Sequence, residues 1–124
     1  MAFEELGKCI SLPADGSMAA YQWRFVKINS SSQATLCGDG EAAVGVLQND
    51  PAAVGQGATV CIAGITKVEI GGTVTASGAV ASDSVGRAVD AVSGDRILGT
   101  AVNGGTAAAT IVSILFQPLG RDRV

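Results

Sequence analysis

"AAVGVLQNDPAAVGQGATVCIAG", Ala42 to Gly64, admits two readings. An apolar run, an Asn-Asp-Pro stop, a Gly-x-Gly step and a second apolar run are the parts of a phosphate cradle. They are also strand, turn and strand. A cradle needs a helix after its glycines, because free N–H groups at a helix start hold the anion. Gly55-Gln56-Gly57 leads instead into "ATVCIA", a strand pattern, and no G-x-x-x-x-G-K-[ST] pattern occurs. Gly38-Asp39-Gly40 fails for the same reason. The stretch reads as two strands and a turn.

The same grammar extends in both directions. Upstream, "YQWRFVKI" alternates, with Tyr21, Trp23 and Phe25 on one side, which predicts a strand over residues 21–28. "ATLCGDGEAAVGVL" reads as two apolar runs joined by an Asp39-Gly40 hairpin turn. Downstream, "ITKVEI" alternates, Gly71-Gly72 turns the chain into "TVTASGAVAS", and Ser93-Gly94-Asp95 separates "GRAVDAV" from "RILGTAV". Asn103-Gly104 is the strongest hairpin signal before "TAAATIVSILF". "DPAAVGQ" has room for one helical turn. Turn signals recur about every ten residues, the spacing of an all-β barrel or sandwich. No convincing internal repeat emerges; "GVLQND" and "GTAVNG" share an outline only.

Composition agrees. The 124 residues suit one domain, and 20 Ala, 14 Val and 17 Gly dominate it, with five aromatics. Valine favours a pleated surface, and glycine supplies the positive φ of tight turns. Residues 1–20 differ. Phe3, Leu6, Ile10 and Leu12 are sparse there, and Pro13, Asp15 and Gly16 interrupt regular structure. They predict an N-terminal arm, disordered when free, ahead of a β domain over residues 21–124. Glu4 and Glu5 ahead of any apolar stretch argue against a signal peptide.

Several function classes lose ground. Net charge is −3 with eight scattered Lys or Arg residues, so the basic stripe of a nucleic-acid binder is missing. The compact apolar run "AAATIVSILF" is ten residues, about half of a membrane-crossing helix. The chain has no histidine, which excludes Ser-His-Asp and Cys-His nucleophiles. Cys9, Cys37 and Cys61 lack zinc spacing and read as free thiols in a reducing cytoplasm. Asp39 with Glu41, or Asp83, Asp90 and Asp95, could pair for acid–base work, but each sits in a turn where Asp caps backbone. Lys67 lies inside an alternating strand and reads as solvent-facing. No catalytic residue, metal site or cofactor is expected.

Taken in order, Tyr21 with "RFVKI", "GVLQNDP" at Gly45–Pro51, "GQGATVCIAGITKV" at Gly55–Val68, "GRAV" at Gly86–Val89 and "ILGTAV" at Ile97–Val102 resemble tailed-phage capsid cement (head decoration) proteins. The resemblance spans residues 20–115. It implies a small β-barrel or β-tulip domain that trimerises on the outer surface of the expanded head. Such a trimer locks neighbouring major capsid protein subunits, so the chain would be made in the host cytoplasm and end in the virion. Within that reading Phe3, Leu6, Ile10 and Leu12 form a capsid-binding arm that adds a strand to a sheet edge. Tyr21, Trp23 and Phe25 are candidate interface anchors. The competing readings are a small ligand- or carbohydrate-binding β module, which wants aromatics in loops, and a β-barrel enzyme, which needs convergent polar groups.

Overall fold

The computed structural model of the chain describes residues 5–121, and among them there is no helix. The fold is all-β, a curled antiparallel sheet forming a half-barrel. Its strands are β1 (Glu5–Pro13), β2 (Phe25–Ile28), β3 (Ala34–Leu36), β4 (Gly45–Leu47), β5 (Gly57–Glu69), β6 (Ala79–Ser82), β7 (Ala88–Asp90), β8 (Arg96–Ala101) and β9 (Ile111–Arg121). Their order is β3-β2-β4-β5-β9-β8-β6-β7, with β1 on β5.

That order contains the same motif twice. β2 pairs with both β3 and β4, and β4 pairs with the first half of β5. β6 likewise pairs with β7 and β8, and β8 pairs with β9. The registers match at a constant shift of 54 positions: Phe25↔Val46 and Val46↔Cys61 correspond to Ala79↔Thr100 and Thr100↔Leu115. β1 on the first half of β5 corresponds to the second half of β5 on β9. There Leu12↔Ala58 matches Val68↔Val112. Two extra residues between Met18 and Tyr21 account for the larger offset of β1.

The turns repeat as faithfully as the ladders. Asn29 Oδ1 accepts the N–H groups of Ser31 and Gln33, and Asp83 Oδ1 those of Val85 and Arg87. Each holds a hairpin whose fourth residue, Ser32 or Gly86, has positive φ. Glu41 accepts from the Gly38 N–H as Asp95 does from that of Val92. Asn49 and Asn103 accept from Thr59 and Ser113. A Cβ on Gly45 would strike the Cys61 carbonyl, and one on Gly99 that of Leu115. The chain is therefore a tandem duplication whose two units share β5, and "GVLQND" and "GTAVNG" were its visible trace.

Four expectations need correction. The predicted strand over 21–28 begins only at Phe25, because Trp23 has φ 70°, a left-handed conformation costly for a bulky residue. Its N–H donates to the Leu47 carbonyl, and Ser77, its counterpart at φ 67°, donates to Ala101. The strain thus belongs to the turn that both units use. The Asp39-Gly40 pair does not close a hairpin, since β3 and β4 flank β2 rather than each other. "DPAAVGQ" forms turns without helix. Finally, residues 5–13 do not stand apart from the packed layers. β1 runs antiparallel to Gly57–Ile65, and Ala14 and Met18 behind it are buried.

Each unit has a core of corresponding side chains. Val26, Leu47, Ala58 and Val60 fill the first, with Ala14 and Met18; Val80, Ala101, Val112 and Ile114 fill the second, with Ile70 and Val74. The second core also takes in Phe25, Cys37 and Val46, which project from the opposite face of the first unit.

Candidate functional site

The residues singled out from sequence do not form one patch. Phe3 lies outside the described residues. Leu6 stands in the β1 ladder opposite Gly64. Ile10 and Leu12 are half-buried against the first core, so β1 spends both on the chain's own sheet. Phe25 is fully buried, its ring centroid 6.3 Å from that of Phe116.

Tyr21 and Trp23 each carry a cation that belongs to or reaches the second half of β5. The Arg24 guanidinium lies 5.2 Å from the Tyr21 ring centroid and reaches Glu69 at 3.3 Å. The Lys67 ammonium lies 5.6 Å from the Trp23 centroid, so this lysine is half-buried over a ring rather than simply solvent-facing. The turn that bends the chain at Trp23 makes this possible by aiming the indole at β5. Cation–π contact of this kind is favourable when partly desolvated, and it leaves each ring with one face already occupied.

A second cluster lies where the two units meet. The loops 38–42 and 94–96, counterparts in the repeat, border a cleft of about 470 Å³ lined by Lys27, Asp39, Glu41, Asp95 and Arg96. Lys27 Nζ donates to Glu41 Oε1 at 2.7 Å. That hydrogen bond, with the Gly38 N–H, holds the Glu41 carboxyl below its ordinary range, and the same bond raises Lys27. Both groups are consequently ionised at neutral pH and bound to each other. Burial pushes the neighbouring Cys37 thiol up, keeping it protonated and a poor nucleophile. Asp83, Asp90 and Asp95 do not converge. They cap separate turns, Asp90 through the Thr75 N–H and hydroxyl.

Cys9 is exposed, whereas Cys37 and Cys61 are buried. Register brings Cys9 directly opposite Cys61, which linear spacing could not reveal. Among the described residues, no three Cys, Asp or Glu side chains are grouped to hold a metal ion.

Sequence reasoning missed the seam between units. There Phe25 N–H donates to Gly86 O at 2.7 Å, Gly40 N–H to Ser82 O at 2.9 Å, and Arg96 N–H to Gly40 O at 3.0 Å. The available signal was Gly40 and Gly94 recurring between matched strands. Compared with known proteins, the chain matches no protein-family model and no curated protein.

Proposed function

We propose that the chain is a tailed-phage capsid decoration protein that binds the outside of the expanded head as a homotrimer and ties together major capsid protein subunits. The observation that carries this reading is the ordered set of segments from Tyr21 to Val102 that resembles cement proteins. The all-β, turn-dense fold supports it, because a lattice-binding protein needs rigidity more than a chemical centre. The cations over Tyr21 and Trp23 weigh against a carbohydrate module, which stacks sugars on open ring faces.

β1 refines the docking expectation. An arm that supplies a strand to the capsid would first have to leave β5; the alternative is that β1 stays and offers its outer edge, where Lys8, Cys9 and Ser11 are exposed. The test is co-sedimentation of the full chain with expanded heads assembled from the major capsid protein encoded in the same genome. Saturable binding is expected, and heads that pellet without the chain at micromolar concentration would overturn the proposal.

A further inference from the structure

The internal interface of this chain is head to tail, and each end of the molecule carries one half of it unfilled. The first unit presses Phe25, Cys37, Val46 and Cys61 out of solvent, each 1% exposed or less. The counterparts of these residues on the second unit are Ala79, Ala91 and Thr100, all half-buried, and Leu115, 37% exposed. No charged side chain lies among them. Ala79, Thr100 and Leu115 on β6, β8 and β9, with Ala91 just past β7, make up the face that a third unit would cover.

The receiving side shows the converse. Ser82, Gly86, Leu98 and Phe116 of the second unit are buried by the first. In the first unit the same positions are Ile28, 48% exposed, exposed Ser32, and half-buried Val44 and Ile62. Sizes are also exchanged. Within the chain Cys37 faces the small Ser82; between chains the smaller Ala91 would meet the larger Ile28.

We infer that a second copy of this chain docks head to tail, seating the face around Ala91 and Leu115 of one copy on the Ile28–Ile62 side of the next. The occupant is a copy of the chain because the chain itself displays the complementary surface, in the same register, at its internal seam. Such a heterologous contact repeats until it closes into a ring or runs on as a filament. The inference rests on the duplication and not on the capsid reading.

The experiment is sedimentation velocity of the full chain over a wide concentration range, with Ala91→Lys and Ile28→Lys variants. Wild type is expected to associate. Each variant alone should lose about 30-fold or more in association constant, as burying one unpaired lysine at an interface implies. Mixed in equal amounts, they should form a 1:1 heterodimer and nothing larger, because one native contact is restored and the other sets lysine against lysine. A self-symmetric interface would give no rescue, and that result overturns the inference, as does a monomeric wild type or association that survives both changes. Thr100→Lys, on β8 of the same face, repeats the test if Ala91→Lys melts early. Head binding is measured separately, so loss of self-association and loss of capsid binding remain distinguishable.

Discussion

The two units follow one strand plan but close their cores differently. The second uses the first as a lid, through Phe25 and Val46, and its Leu98 and Phe116 are buried as a result. In the first, Val44 and Ile62 stay half-buried while Met18 and β1 seal the rest. The comparison separates what the backbone demands from what packing negotiates. Gly45 and Gly99, Asn49 and Asn103, Val26 and Val80, and Ala34 and Ala88 are unchanged between units. Phe25 against Ala79 and Ile28 against Ser82 have drifted, because each unit has a different neighbour.

The severest way to break this comparison is to remove residues 1–13. If β1 is the structural equal of the second half of β5, the truncated chain loses a full ladder and the half-buried Ile10 and Leu12. That exceeds ~5 kcal/mol, on the scale of a whole domain's stability. Circular dichroism melts should show an unfolded or barely folded chain. A truncated chain that melts with the full-length protein would restore the view of residues 1–20 as a detachable arm.

A more selective test replaces Gly45 and Gly99 with Ala in turn. Each methyl group would collide with a carbonyl of the adjoining strand, so each change should cost about 2–3 kcal/mol in urea unfolding. Costs that differ by more than about 1 kcal/mol would show that the two glycines do not hold equivalent positions. Smaller effects are expected at the hairpins. Asn29→Ala and Asp83→Ala each remove two bonds to backbone N–H groups, worth about 1–2 kcal/mol together. Asp83 should cost slightly more, since it also pairs with Arg87 at 3.2 Å.

The smallest effect belongs to the exposed Lys27–Glu41 pair, whose counterparts Ala81 and Asp95 form no such bridge. Glu41 has a depressed pKa in the folded chain, so its contribution is present above the ordinary glutamate range and fades as pH falls through the lowered value. Lys27 is raised, so its share is intact below the ordinary lysine value and is lost as pH rises past it. Melting temperature against pH should lose a slight acid slope in Glu41→Gln, and added salt should erase the difference.

The all-β class was legible because glycine and Asx turns recur between short valine-rich runs, and those turns do hold the hairpins at Asn29 and Asp83. Long-range pairing was not. Asp39-Gly40 satisfies every local rule for a hairpin, yet β2 competes for both of its flanks and wins. The period of two through Tyr21 and Trp23 was real as a pattern, but the Leu47 and Glu69 backbone bonds hold that turn left-handed. β1 mixes Gly7, Lys8, Ser11 and Pro13 with its apolar residues, and its partner lies far along the chain, so nothing local marks it as a strand. The duplication hid because the positions it preserves are scattered backbone requirements rather than a contiguous motif. The seam was hidden with it.

β5 belongs to both units, and this imposes an order on synthesis. β1 leaves the ribosome with no partner until residues 57–65 have followed it. Close to fifty residues must be added, which at ~5–20 residues per second takes roughly 3–10 s. For that interval both edges of a nascent strand containing Cys9, Ile10 and Leu12 are open to other chains. Lys8 is exposed near its leading end, and a charge at such a place discourages edge-to-edge pairing. The second unit has no such wait at its own start, because its opening strand emerges as the continuation of one that already has a partner.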